Sequence, residues 1–451
     1  MPLLPALTRE ICLGLVRLFY IQLRVGQAEN VPQEGPAMVV ANHPNGLLDP
    51  LVLRIGLQRP VHFLGKSTLF GNPLGRLAMA AFGGIPVYRA KDGQDTQQND
   101  KSFDLCRTHL GQKGWLALFP EGTSHSDPSL KRLKTGAARI ALSYVQNADG
   151  TIRDLTIIPA GLLYEDKATF RTAVAVTAAK PIDVAAFARQ HGSDFAAAQL
   201  LTDLIHASLN DVCLQAQSDE LWRGFLAVAA WTDAKAAADL VVRQARAHEL
   251  AAAWRTLDSA YPQQAQAVVE EVRQYVRALQ SIGVDDPLQL ETPLQLNRQQ
   301  LLGFIAPIVL LWPLALLGLA LGWPTYAAIR PLPPRLAKGE TDVISTIKVL
   351  LGLLAFTLTY AAESWVIGHF FGWAVGLAAF VLAPLCGFVA LRFSERLALR
   401  RQTLRAAWLR FADADIVREI AKRRRELALT VDAALRTTAA AVPDQAAAAA
   451  N

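Results

Sequence analysis

Two side chains in the stretch AMVVANHPNGLLDPLVL have the types needed to move a proton at neutral pH: His43 and, after five intervening residues, Asp49. An imidazole with an ordinary pKa of ~6.5 accepts a proton there, and a carboxylate on its other nitrogen fixes the tautomer and stabilises the cation that forms. Such a pair is a base without a built-in nucleophile. Read alone, the same spacing also describes a loop histidine beside an unrelated helix-capping aspartate.

Three further groups follow. In GGIPVYRA an apolar run ends at Arg89, whose guanidinium either grips a phosphate with two parallel bonds or is a solvated strand-end charge. In WLALFPEGTSHSDPSLKRLKTGAARIAL a strand runs into Pro120, Glu121, Gly122, Thr123 and Ser124, with Lys131, Arg132 and Lys134 close behind. A turn rich in hydrogen-bonding groups beside a basic cluster suits an anionic head group. In LTIIPAGLLYED, Ile157, Ile158, Pro159 and Gly161 mark a strand that either passes close to a ligand or is ordinary core.

Other chemistries lack their residues. Lys66 lies in GKS, but a phosphate-binding loop needs glycine where Pro60 stands, and no Gly-x-Ser-x-Gly elbow for a serine hydrolase occurs. Cys12, Cys106, Cys213 and Cys386 are scattered singly, which argues against a disulfide scaffold or structural zinc and favours a reducing compartment. No metal site is expected.

The elements that must position these groups come next. The chain has 451 residues, 52% hydrophobic and 19% charged, with a net charge of +6, which excludes a disordered protein. Short β-rich runs (AMVVAN, VHFLG, WLALFP, LTIIPAG, RTAVAVTA) alternate with helical stretches such as 103–110 and 135–144, so the fold class is α/β with a mixed sheet flanked by helices. The expected divisions are an amphipathic interfacial helix (1–21), a catalytic domain (22–193), a helical domain (194–300), a membrane region (301–392) and a basic helix followed by a disordered Ala-rich tail (393–451).

Three apolar stretches, 303–322, 349–371 and 372–391, are each long enough for a ~30 Å hydrocarbon core. Arg330, Arg335, Lys338 and Lys348 lie between the first two, and Arg392, Arg396, Arg400 and Arg401 follow the third, so both places are expected to be cytoplasmic. The second and third then form a transmembrane hairpin. Pro307 and Pro313 interrupt the first, which reads as a re-entrant or interfacial segment. Glu363, inside the second stretch and beside Ser364, reads as a structural hydrogen-bonding group.

In this order, NHPNGLLDP, GGIPVYR, FPEGTSH and IIPAG resemble the four motifs of the phospholipid and glycerol acyltransferase family, over roughly residues 20 to 185. The resemblance implies that His43, oriented by Asp49, is the general base for a glycerol hydroxyl attacking an acyl thioester. It implies that Arg89, Glu121, Gly122 and Lys134, with Thr123 and Ser124 in the same turn, form the acceptor phosphate site, and that Pro159 lies near the acyl donor. Most of the family has four residues between the histidine and the aspartate, and many lysophosphatidate acyltransferases have arginine where Ser124 stands. Both departures resemble the glycerol-3-phosphate and dihydroxyacetone-phosphate branch instead.

The expected activity is therefore a membrane-bound O-acyltransferase in phospholipid synthesis, taking a fatty acyl group from acyl-CoA or acyl carrier protein to glycerol 3-phosphate or 1-acylglycerol 3-phosphate. The alternatives are another lysophospholipid acceptor, or a catalytically silent lipid-binding scaffold. The acyl thioester is a co-substrate and no cofactor is required. The expected partners are a phospholipid membrane, the acyl donor and the phosphorylated acceptor, without nucleic acid, and the catalytic domain should face the cytoplasm, at the inner membrane in a bacterium.

Overall fold

The computed structural model describes residues 3–89, 93–146, 151–291 and 298–448. By its contacts the chain forms two units that do not follow it linearly: residues 1–226 with 238–251 and 340–346, and residues 227–237 with 252–339 and 347–451.

The first unit is built on an eight-stranded sheet of order β1-β7-β6-β2-β5-β3-β4, with β8 paired to β6. The strands are β1 (Tyr20–Gly26), β2 (Ala37–Ala41), β3 (Val61–Lys66), β4 (Ile85–Val87), β5 (Trp115–Leu118), β6 (Thr156–Tyr164), β7 (Thr172–Ala178) and β8 (Ile182–Asp183). Pairing is parallel except where β6 meets β7 and β8, so the sheet is mixed, as expected. β2 is Ala-Met-Val-Val-Ala, buried throughout, and its unbroken apolar run suits a strand covered on both faces.

Early helices flank the sheet: α1 (Leu3–Phe19), α2 (Leu48–Leu57), α3 (Pro73–Phe82), α4 (Asn99–Gly111), α5 (Gly136–Val145), α6 (Val184–His191) and α7 (Phe195–Asn210). Met38, Val40, Leu116 and Ile157 of the sheet pack with Ile140 and Leu142 of α5 and Leu201, Ile205 and Leu209 of α7 in one core. α1 turns Leu13, Val16 and Phe19 inward and leaves Leu3, Leu4, Leu7 and Ile11 exposed. The interfacial helix expected to reach residue 21 stops at Phe19, because Tyr20–Gly26 pairs in parallel with β7.

Pro159 sits inside β6 and lacks a donor, which a central strand ordinarily needs. It is accommodated where β6 changes partner. β8 pairs with Thr156 and Ile157, β7 pairs from Ala160 onward, and between them the Pro159 carbonyl accepts from Ala179 N–H at 2.8 Å. A Cβ on Gly161 would lie 2.4 Å from the Val212 carbonyl oxygen, so close approach of the chain itself accounts for this glycine.

The helical zone contains α8 (Asp219–Thr232), α9 (Ala234–Ala238), α10 (Leu240–Ala260), α11 (Pro262–Ile282) and α12 (Leu288–Glu291). Then come α13 (Arg298–Ile329), α14 (Leu332–Leu336), α15 (Ile344–Phe371), α16 (Trp373–Ala412) and α17 (Ala414–Ala448). Among the described residues three helical stretches are long and apolar enough to cross a membrane: Val309–Leu336, Thr341–Phe371 and Trp373–Ala412.

Two expectations fail here. α13 continues through Pro307 and Pro313 as one helix, so the irregular backbone expected there is absent, although each proline withholds a donor from the helical ladder. The Ala-rich tail is helical to Ala448, in keeping with alanine's helix propensity, while residues 449–451 lie outside the described ones.

Within the second unit α13 and α16 touch through small residues. A Cβ on Gly318 would meet the Cys386 carbonyl oxygen at 2.0 Å, and Ala315, Ala383 and Cys386 are buried. α15 and α16 are joined by Gly372 alone, Gly368 lying against Trp373 and Gly376. Gly322 of α13 faces Phe356 of α15, and one turn on Thr325 bonds Thr359 at 2.6 Å, so these two helices run in the same direction. Beyond the apolar half of α16, Arg405 donates to the Ile282 carbonyl at 2.8 Å and Arg410 to the Gln289 carbonyl at 3.3 Å. Arg424 of α17 forks onto Glu291. Glu363 Oε2 and Ser364 Oγ are buried without a hydrogen-bond partner, so the expected structural bond is not formed.

Candidate active site

β2 ends in Asn42 and His43, at the carboxyl edge of the parallel strands where α/β sheets present ligand-binding loops. The Asn42 amide fastens that end to β6, accepting from Leu162 N–H at 2.7 Å and donating to the Leu162 carbonyl at 3.1 Å. His43 stacks on Phe119, ring centroids 4.0 Å apart and planes at 11°, which leaves rotation about its side chain little room.

His43 Nδ1 lies 2.8 Å from Asp49 Oδ2, with the carboxylate fully buried in the first turn of α2. Asn45 N–H donates to the same oxygen at 2.8 Å, and the Tyr164 hydroxyl donates to Oδ1. Burial and the charge of Asp49 push the Tyr164 pKa far above the ordinary phenol, so it remains a donor throughout the useful pH range. With Nδ1 committed to Asp49, Nε2 is the nitrogen left for a substrate hydroxyl.

Glu121 joins this loop to the basic turn. Its Oε1 accepts His43 N–H at 3.0 Å, and its Oε2 accepts Lys131 N–H at 2.9 Å and pairs with His125 Nε2. Glu121, expected in the phosphate site, is buried with protein donors on both carboxylate oxygens. His125 N–H closes the connection on the His43 carbonyl at 3.1 Å.

The other residues expected at the acceptor phosphate assemble around Gly122. Arg89 Nη1 donates to the Gly122 carbonyl at 3.2 Å, and a Cβ at Gly122 would be 2.5 Å from Lys134 Nζ. Gly122 also has φ +73°, a left-handed conformation that glycine adopts without cost. Two cations thus meet one partly exposed turn, which also holds Thr123 and Ser124. Pro159 is buried in β6 opposite Val40.

Several residues escaped the sequence reading. Tyr164, at the end of β6, was detectable as a tyrosine before two acidic residues. Lys167 donates to the Pro44 carbonyl at 3.1 Å and to Ser126 Oγ at 2.7 Å; burial lowers its pKa, opposed by the nearby Asp342 and Asp49 carboxylates. Ser345 donates to Asn45 across 300 positions of sequence, with no local signal to reveal it. Among the described residues no cluster of three or more His, Cys, Asp or Glu is arranged to hold a metal ion.

Comparison with known proteins matches residues 22–163 to the family model described as Acyltransferase. Glycerol-3-phosphate O-acyltransferase 2 of Saccharomyces cerevisiae is 38% identical over 86 residues, covering 19% of this chain and 11% of that protein. A 1-acyl-sn-glycerol-3-phosphate acyltransferase of Chlamydomonas reinhardtii is 31% identical over 123 residues, 27% of this chain and 35% of that one. The chain therefore spans about a third or less of these relatives' lengths. The crystal structure of the 1-acyl-sn-glycerophosphate acyltransferase of Thermotoga maritima aligns with a TM-score of 0.33 at 18% identity, covering 45% of this chain and 78% of that chain. Residues 22–163 of this chain are thus similar to the phospholipid and glycerol acyltransferase family, with the His43 loop tied through Glu121 to the turn at Gly122.

Proposed function

We propose that the chain is a membrane-associated O-acyltransferase that transfers a fatty acyl group from acyl-CoA or acyl carrier protein to glycerol 3-phosphate or 1-acylglycerol 3-phosphate. The observation that carries this reading is the His43 Nδ1 to Asp49 Oδ2 contact of 2.8 Å, tied through Glu121 to the turn where Arg89 and Lys134 meet.

The chemistry follows from that arrangement. The acceptor phosphate rests on Arg89 and Lys134 and turns its free hydroxyl to His43 Nε2. The imidazole takes the hydroxyl proton as the oxygen attacks the thioester carbonyl, and Asp49 stabilises the imidazolium. Collapse of the tetrahedral intermediate breaks the carbon–sulfur bond, and the leaving thiolate recovers the proton from His43. General base help of this kind is worth ~10²- to 10⁴-fold. The full-length protein in lipid nanodiscs, given acyl-CoA with glycerol 3-phosphate, dihydroxyacetone phosphate or lysophosphatidate separately, should yield one acylated product by mass. No product from any pair would overturn the reading.

The same reading places the site on the cytoplasmic face. Three successive crossings would put the start of α13 and the end of α16 on opposite sides of the bilayer. The bonds of Arg405 and Arg410 to the carbonyls of Ile282 and Gln289, just before α13, support a topology in which both ends share one face. The arginine-rich half of α16 supports the cytoplasm as that face. In sealed vesicles, tags at the two termini should be cleaved together by added protease; protection of only one of them would refute this topology.

A further inference from the structure

The segment Glu340–Thr346 packs with the sheet unit although it precedes the main run of α15. It meets the His43 loop at successive points. Ser345, fully buried, donates its hydroxyl to the Asn45 side-chain carbonyl, and the Asn45 amide donates to the Tyr20 hydroxyl at 2.6 Å. Gly46, at φ +45°, lies against the same segment: a Cβ there would be 3.1 Å from the Asp342 carbonyl oxygen. Thr341 bonds Ser126, which accepts from Lys167, and Lys167 also holds the Pro44 carbonyl. Asn45 and Gly46 therefore meet a segment some 300 positions away directly, and Pro44 is linked to it through Lys167 and Ser126.

Asn45 is where this bracing reaches the proposed chemistry. Its backbone N–H shares Asp49 Oδ2 with His43 Nδ1, both contacts at 2.8 Å. A shift of Asn45 moves one of the donors that aim the carboxylate, and with it the imidazole. We propose that Ser345 is a positioning residue for the His43–Asp49 pair, acting through Asn45, so that the entry of the chain into its second apolar helix sets the geometry of the base. This rests on the acyltransfer reading for its kinetic consequence, but not for its structural one.

The test compares full-length wild type, Ser345→Ala and Ser345→Thr in nanodiscs, with acyl transfer measured under saturating and limiting acceptor. Loss of one hydrogen bond that orients the base should lower kcat roughly tenfold with KM unchanged, and threonine, which keeps the hydroxyl, should restore it. A second readout needs no turnover: the rate at which diethyl pyrocarbonate modifies His43, followed by peptide mass, should rise at least several-fold in the alanine variant and return in the threonine variant. Unchanged kcat together with unchanged His43 modification in Ser345→Ala overturns the proposal. A changed modification rate in a protein whose wild type transfers no acyl group overturns the function and leaves the positioning role standing. A fall in both readouts that threonine does not rescue also overturns it, as general damage to the fold.

Discussion

Glu121 Oε1 accepts the backbone N–H of His43 at 3.0 Å, so the carboxylate that sits in the basic turn fixes the main chain of the catalytic loop. This makes Glu121 a joint between the His43 loop and the turn where Arg89 and Lys134 meet. Glu121→Ala would leave His43 N–H and Lys131 N–H without their acceptor, at ~1–3 kcal/mol for each group that stays buried. We expect a lower melting temperature and near-complete loss of acyl transfer, whereas Glu121→Gln, which keeps one acceptor oxygen, should retain the fold and a fraction of the activity. Calorimetry and initial rates on both variants check this.

His43→Ala should reduce kcat by ~10²- to 10⁴-fold while the protein remains folded, because the imidazole sits at a loop and not in the core. Tyr164→Phe should cost less, about tenfold, since Asp49 keeps its contacts to His43 and Asn45. Single-turnover rates in membranes separate the two effects from any change in substrate binding.

Arg89→Ala and Lys134→Ala should raise the acceptor KM with a smaller effect on kcat, as expected for groups that hold a phosphate in ground and transition states alike. Gly122→Ala should be worse than either, because its φ of +73° strains any side chain by ~1–2 kcal/mol and its Cβ displaces the Lys134 amine. Acceptor titrations at saturating acyl-CoA read these outcomes directly.

Acid should weaken the fold through His62. Burial, with help from the neighbouring His109 and Arg54, lowers its pKa to about 4, and the ring stacks on His109 at 3.7 Å. The unfolded chain takes up this proton near pH ~6.5 while the folded one resists it, so stability is full above ~6.5 and falls as pH drops toward about 4. His62→Gln should flatten that part of the profile. Melting curves of both proteins across the range test it; parallel profiles would contradict the assignment.

Much of this was legible in the sequence, for identifiable reasons. β2 is an apolar run that leads into the motif residues Asn42 and His43, and β6 is one that contains Ile157, Ile158, Pro159 and Gly161, so their burial and the loop at His43 follow from composition alone. β1 was hidden because YIQLRVG continues an apolar helix without a turn residue between them. Pro307 and Pro313 signalled a break, yet α13 runs through both. Glu121 carried the motif, but its bonds to His43 N–H and Lys131 N–H join residues 78 and 10 positions away, which no local pattern encodes. Ser345 stands in a stretch without any motif, and its bearing on Asn45 depends on a chain reversal that no local pattern encodes.

The docked segment at 340–346 also limits how this protein can be dissected. A soluble fragment ended ahead of the first apolar helix would keep every motif, yet lose the hydroxyl that steadies Asn45 and the backbone that backs Gly46. Expression trimming guided by motif boundaries alone would therefore deliver a domain with its reactive loop unbraced.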